Sequence, residues 1–349
     1  MMQTTPDKNH SRLQACARHG ARRMLFWYKN ARPRALPQSI MPAVLAVCFA
    51  FGSPGFCWWL AVLAVLGVAC AHLAANLFDD YFDYRLCRAD YRDTLRHEGF
   101  RARIGKCLYL TSGEATLRQL LFVALLFSFA ALTIGSLVFY YRDKTILQIA
   151  AVTALLALSY SGPPLRLSYH GLGELTIGVI FGPLNMLGTY YAACGEIGQS
   201  LILVSVPVGL LVMNIVYVHS ILDVIPDKKI GKQTLAVLLG GKTAMLGVLF
   251  LVLFLPYGLI VWGILAASLP PAWWLLLLTL PMAAALFRMM LAHTRQPGRK
   301  FAPKPWMGPM DSWRQIEAIG IDWFMIRWLL ARNLLATLCL IGMVLAFAA

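Results

Sequence analysis

The stretch AANLFDDYFDY, residues 74–84, places Asn76, Asp79, Asp80 and Asp83 within eight residues. It follows directly on an apolar run long enough to cross a bilayer. Ionisable side chains beside hydrocarbon are costly and mark function by default. A second acidic cluster, Asp223 and Asp227, lies in YVHSILDVIPDKKIGKQTLAVLLG at the end of another apolar run. Helical spacing puts Asn76, Asp80 and Asp83 on one stripe, with Asp79 beside it. Asp223 and Asp227 share a face if their helix continues past Pro226, which otherwise ends or kinks it. Carboxylates this close repel one another unless a cation joins them. Hard oxygen donors suit Mg2+, which takes one or two carboxylates and fills its shell with substrate phosphates and water.

Basic residues follow both clusters. Arg85, Arg88, Arg92, Arg96, Arg101, Arg103 and Lys106 come after the first, and Lys228, Lys229 and Lys232 after the second. Carboxylate pairs facing cations suit a metal-bound diphosphate, in which the metal bridges Asp and phosphate oxygens and Lys and Arg hold the rest. Any single Arg in 85–103 reads equally well as a solvated loop residue. The aspartates do not, because they adjoin the membrane.

These clusters need a membrane scaffold, and composition supplies one. Of 349 residues, 59% are hydrophobic and 13% charged, with mean hydropathy +0.65. Soluble domains carry about 25% charged residues. The net charge of +15 then marks a cytoplasmic face rather than a nucleic-acid partner. The eight cysteines form no CxxC pair and read as small buried hydrophobes. Residues 1–37 are basic and polar, without the apolar core of a signal peptide.

The expected fold class is all-α: about nine transmembrane helices around a central cavity. The expected spans are 38–56, 58–78, 119–140, 146–161, 174–194, 199–222, 243–268, 271–292 and 326–348. Residues 1–37 form a basic cytoplasmic segment, and 38–349 a single membrane domain. Twenty-nine of the 31 Lys and Arg fall on one face of this arrangement, and only Arg142 and Lys144 on the other. The bias puts the N-terminus and both acidic clusters inside and the C-terminus outside, in a multi-pass protein of the cytoplasmic membrane. Residues 311–322 are expected as a surface helix.

With both motifs in place, the chain resembles the UbiA superfamily of intramembrane prenyltransferases. Asn76-Leu-Phe-Asp79-Asp80-Tyr-Phe-Asp83 looks like the family's first motif. Asp223-Val-Ile-Pro-Asp227-Lys-Lys-Ile-Gly231-Lys232-Gln-Thr234-Leu looks like the second. Gly171-Leu-Gly173-Glu174, Gly182-Pro183 and Gly188-Thr189-Tyr190-Tyr191 are similar to the 1,4-dihydroxy-2-naphthoate branch of menaquinone biosynthesis. The resemblance covers roughly residues 25–260.

The resemblance implies Mg2+-dependent transfer of a polyprenyl group from its diphosphate to an aromatic acceptor. It implies metal ligation by Asn76, Asp79, Asp80, Asp83, Asp223 and Asp227, with Asp80, Asp83, Asp223 and Asp227 at the centre of catalysis. Asn76, Arg88, Lys106, Lys228 and Lys232 are the candidates for holding diphosphate. Tyr160, Glu174 and His219 are candidates on the acceptor side. Tyr81, Phe82 and Tyr160 face a carbocation or simply pack. Glu174 orients or deprotonates the acceptor, or caps a helix N-terminus. The prenyl chain requires an apolar slot, which Gly- and Ala-rich helices leave between them.

The chain also departs from the branch. His219, Ser220 and Leu222 stand where two Asn and an Arg are usual, the loop after the first motif is long and Arg-rich, and Pro226 is unusual. His219 reads as a metal-side or proton-handling group, or as a hydrogen-bonded helix-end histidine. The departures keep 4-hydroxybenzoate, porphyrin and homogentisate open as acceptor types. A cation-coupled transporter would hold its carboxylates near the midplane, and a CDP-alcohol phosphotransferase would need Asp-Gly followed by Ala-Arg. Neither pattern is present. Membrane lipids are the other expected partners, with no nucleic acid and no obligate protein partner.

Overall fold

The computed structural model describes residues 20–86 and 107–348, and the described chain is helical apart from one isolated bridge between His170 and Gln233. Its long helices are α1 (Pro37–Ala50), α2 (Trp58–Leu86), α3 (Leu117–Tyr141), α4 (Lys144–Ser161), α5 (Gly173–Cys194), α6 (Gln199–Leu222), α7 (Lys242–Leu265), α8 (Pro271–Arg295) and α9 (Asp322–Phe347). Among the described residues eight of these are long and apolar enough to cross a membrane.

The exception is α1. Its 14 residues rise about 21 Å at 1.5 Å each, short of the ~30 Å hydrocarbon core. The expected span ran on to residue 56. The helix instead stops at Ala50, where Gly52 takes φ +90 and opens the turn through Pro54 and Gly55. In place of a surface helix over 311–322 there is only a six-residue helix, Trp313–Ala318, before α9 begins at Asp322.

α6 is the hub, with 72% of its apolar window buried, against 17% for α3 and 11% for α4. The latter two present Phe122, Phe129, Leu132 and Leu155 outward, as lipid-facing helices do. α5 and α6 cross at glycines. A Cβ on Gly182 would stand 2.3 Å from Gly209 Cα, and one on Gly178 2.9 Å from the Gly209 carbonyl oxygen. Here small residues close a helix–helix contact rather than open a slot between helices. Next to the crossing, Ile180–Leu184 winds as one π-helical turn around Pro183, which has no N–H to give.

In the loop between α3 and α4, Arg142 donates to the carbonyls of Ala192 (3.0 Å), Ala193 (2.7 Å) and Gly55 (3.2 Å). This cation therefore serves the carboxyl end of α5, where bare carbonyls favour positive charge.

Candidate active site

α2 stays helical through Leu86, so the stripe inferred from spacing is real: the first acidic cluster rides on one uninterrupted helix. Asp80 and Asp83 are 1% exposed, Asp223 2% and Asp227 3%. Buried carboxylates require partners, and each of the first cluster has a specific set. Asp79 accepts from Ser161 Oγ at 2.7 Å and pairs with Arg32 Nη2 at 3.1 Å. Asp80 lies 3.4 Å from the same Arg32 nitrogen and accepts from the Tyr109 hydroxyl at 3.1 Å. Burial, and then the charge of Asp80, push the Tyr109 phenol above its usual range, which keeps it a proton donor. Asp83 accepts from the Tyr169 hydroxyl at 2.7 Å. The Asn76 side-chain amide donates to the Ala31 carbonyl, and the Asn76 main-chain carbonyl accepts from Arg32.

α6 ends at Asp223, and a short helix, Val224–Lys229, restarts the winding. Pro226 falls in its first turn, where its missing N–H costs nothing. The Asp227 amide still donates to the Asp223 carbonyl at 2.8 Å, so the two aspartates remain one turn apart. His219 Nε2 stands 3.5 Å from Asp223 Oδ2, with its ring edge-on to Phe324.

Gly231 then takes φ +74, a conformation open to glycine, and turns the chain back inward. This aims Lys232, 1% exposed, at the first cluster. Its Nζ lies 3.9 Å from Asp83 Oδ2 and 5.2 Å from the centre of the Tyr169 ring. Lys232 is thus the physical link between the two motifs. Lys228, by contrast, is exposed on the short helix.

Glu174 is buried, accepting from Ser220 Oγ at 2.6 Å and from the Leu235 amide at 3.2 Å. Its carboxylate caps the start of the helix after Thr234 rather than its own, and ties α5 to the second motif. Tyr160 is half-buried, with its ring against Gly173. Tyr81 contacts Arg85, and Phe82 stacks on Phe78. Arg88 and Lys106 lie outside the described residues.

Among the described residues no three His, Cys, Asp or Glu side chains converge as a closed metal site. Magnesium does not demand one, since it takes one or two carboxylates per ion and leaves the rest to phosphate and water. The donor set fits that pattern. Among the described residues Asp227 Oδ2 is buried without a hydrogen-bond donor, an acceptor that a cation would satisfy.

Sequence reasoning missed Arg32, Tyr109, Tyr169 and Ser161. Arg32 was counted within the basic terminal segment. Its left-handed backbone, φ 60, folds it over α2 between Asp79 and Asp80. A non-glycine residue held there is a recurrent mark of functional sites. Nothing in its sequence neighbourhood distinguishes it from Arg34. Tyr169 was discoverable in principle, because it sits just before the glycine-rich turn that leads to Glu174.

The sequence profile of the UbiA prenyltransferase family matches residues 39–307. A Mycobacterium tuberculosis protein named 1,4-dihydroxy-2-naphthoate octaprenyltransferase is 28% identical over 70% of this chain and 82% of its own. A Synechocystis 2-carboxy-1,4-naphthoquinone phytyltransferase is 28% identical over 78% of this chain and 84% of its own. Among solved structures, a UbiA homologue from Archaeoglobus fulgidus, bound to GPP and Mg2+, superposes with a TM-score of 0.57 at 16% identity. That superposition covers 93% of this chain and 99% of the other.

Proposed function

Because the chain belongs to the UbiA prenyltransferase family, we propose that it transfers a polyprenyl group from polyprenyl diphosphate to 1,4-dihydroxy-2-naphthoate in menaquinone biosynthesis. The observation that carries the reading is the contact of buried Lys232, from the second motif, with buried Asp83 of the first. It stands beside relatives whose names specify naphthoate or naphthoquinone prenylation. The membrane is the cytoplasmic one, with the N-terminus and the site inside, as the charge bias supports.

In this reading Asp80, Asp83, Asp223 and Asp227, with Asn76 and Asp79, hold Mg2+, as the donor set and the Mg2+-bound homologue support. Held by these residues, the cation would supply charge neutralisation for the leaving diphosphate. Lys232 and Arg32 grip phosphate oxygens, and Arg88, Lys106 and Lys228 are further candidates at the mouth. Tyr109 and Tyr169 keep Asp80 and Asp83 aimed by donating to one oxygen of each. An electron-rich ring carbon of the acceptor then attacks C1 of the prenyl group as the C–O bond breaks and diphosphate departs, and the same ring carbon gives up its proton, or its carboxyl group as carbon dioxide, to restore the aromatic ring. Glu174 positions the second motif through Ser220 and Leu235. Tyr160 and His219 flank the acceptor.

A second acceptor is kept open by one observation: His219, Ser220 and Leu222 replace the usual Asn, Asn and Arg. Purified protein with Mg2+, labelled geranylgeranyl diphosphate and a panel of naphthoate, 4-hydroxybenzoate, homogentisate and porphyrin acceptors decides the matter by product mass. Prenylated naphthoate is expected. Exclusive prenylation of another ring overturns the acceptor, and no product with any acceptor overturns the transferase.

A further inference from the structure

His72 stands on the same stripe of α2 as the first motif, one turn before Asn76 and two before Asp80. At 1.5 Å per residue it lies about 6 Å deeper in the membrane than Asn76. It is 4% exposed, and a histidine at that depth needs a reason.

Three contacts lock the ring. Nδ1 lies 2.7 Å from Ser39 Oγ on α1, and the ring rests on Phe181, centre to centre 4.5 Å, in the π-helical turn of α5. Asn185, itself buried, donates to the Ser39 carbonyl at 2.8 Å and so fixes Ser39. The tautomer follows from Ser39, whose hydroxyl has one proton and two close partners. It also lies 3.1 Å from the Leu36 carbonyl, which can only accept. Both contacts are hydrogen bonds at once only if Ser39 donates to Leu36 and Nδ1–H donates to Ser39. Nε2 is then a bare lone pair. Among the described residues it has no protein partner. A structural histidine bridging helices would ordinarily use both nitrogens.

We infer that His72 Nε2 accepts a hydrogen bond from a ring hydroxyl of the aromatic acceptor and so sets which ring edge meets the prenyl C1. The inference rests on the prenyl-transfer reading. It makes His72 a binding and orienting residue on the inner side of the site, with Ser39 and Phe181 as its supports. A hydroxylated ring reaching Nε2 satisfies the lone pair. A ring whose hydroxyl is capped by methyl cannot donate to that lone pair and forfeits the hydrogen bond.

The test uses the full-length protein in nanodiscs with Mg2+ and geranylgeranyl diphosphate. Steady-state rates are measured against 1,4-dihydroxy-2-naphthoate and its two mono-O-methyl ethers. Wild type should discriminate against one ether by tenfold or more. His72→Phe should raise the acceptor KM at least tenfold, leave the diphosphate KM within twofold and lose the ether discrimination. His72→Gln, which restores an acceptor oxygen, should recover part of both. Should His72→Phe fail to fold, Ser39→Ala, which frees the ring to turn, should show the same KM split in weaker form. Unchanged ether discrimination in the variants overturns the proposal. So does a parallel rise of both KM values, which is the mark of a merely structural residue. A wild type that prenylates none of the three rings overturns the underlying reading and this one with it.

Discussion

Asp80 and Asp223 differ from ordinary acidic residues in how little water they see. Replacing either with Asn keeps the volume and removes a charge. Asp80→Asn and Asp223→Asn should therefore lower turnover by about a hundredfold or more, with circular dichroism unchanged. Turnover within tenfold of wild type, or full activity in EDTA, would refute a magnesium-held diphosphate. The two lysines of the second motif separate cleanly by environment. Lys232 is enclosed between Asp83 and the Tyr169 ring, whereas Lys228 is exposed. Lys232→Met should cost about a hundredfold in kcat/KM for the diphosphate. Lys228→Ala should cost only a few-fold, because an exposed cation is screened by water and salt. Equal losses in the two variants would mean that burial is not what gives Lys232 its role.

At the scale of elements, the α5–α6 crossing holds Glu174, Ser220 and the second motif in register. It is built on Gly178, Gly182 and Gly209, whose missing side chains let the backbones touch. Gly182→Ala should destabilise by about 1–3 kcal/mol through overpacking. It should also reduce activity without altering metal dependence, and thermal unfolding in detergent checks it. A melting temperature equal to wild type would show that the helices part easily. These glycines were legible as features of an apolar helix, but their use was not. Composition says that a helix offers a small-residue face. It does not say whether a neighbouring backbone or a prenyl chain fills the space, because that depends on where the other helix lies.

At the scale of the whole molecule, the bias of positive charge predicts the orientation of the bundle. Single cysteines placed at 143 and 229 in a cysteine-free background should label oppositely with an impermeant reagent in intact cells. Equal labelling would contradict the orientation. The acidic clusters come from helices far apart in sequence, and in the folded bundle Lys232 of the second motif reaches Asp83 of the first, so ligands that need both motifs should stabilise it cooperatively. A ligand at a hundred times its dissociation constant stabilises the state it binds by about 2.7 kcal/mol. Magnesium and a prenyl thiodiphosphate together should raise the melting temperature by more than the sum of their separate effects. Asp80→Asn should abolish most of the excess. Purely additive shifts would place the two ligands in separate sites.

Local sequence determined what depends on spacing along one helix. The stripe of Asn76, Asp80 and Asp83, the pairing of Asp223 with Asp227, the apolar spans and the face that carries positive charge all follow from helical period, hydropathy and charge. The tertiary structure decided what depends on two distant segments meeting. Arg32 reaches Asp79 and Asp80 only because its backbone is left-handed and α1 packs beside α2. Glu174 caps a helix some sixty residues away, a contact no local propensity encodes. The first helix is shorter than its apolar run because the turn at Gly52 takes the last residues away. His72 sits in a hydrophobic span, and only the tertiary structure brings Ser39 and Phe181, from two other helices, against its ring.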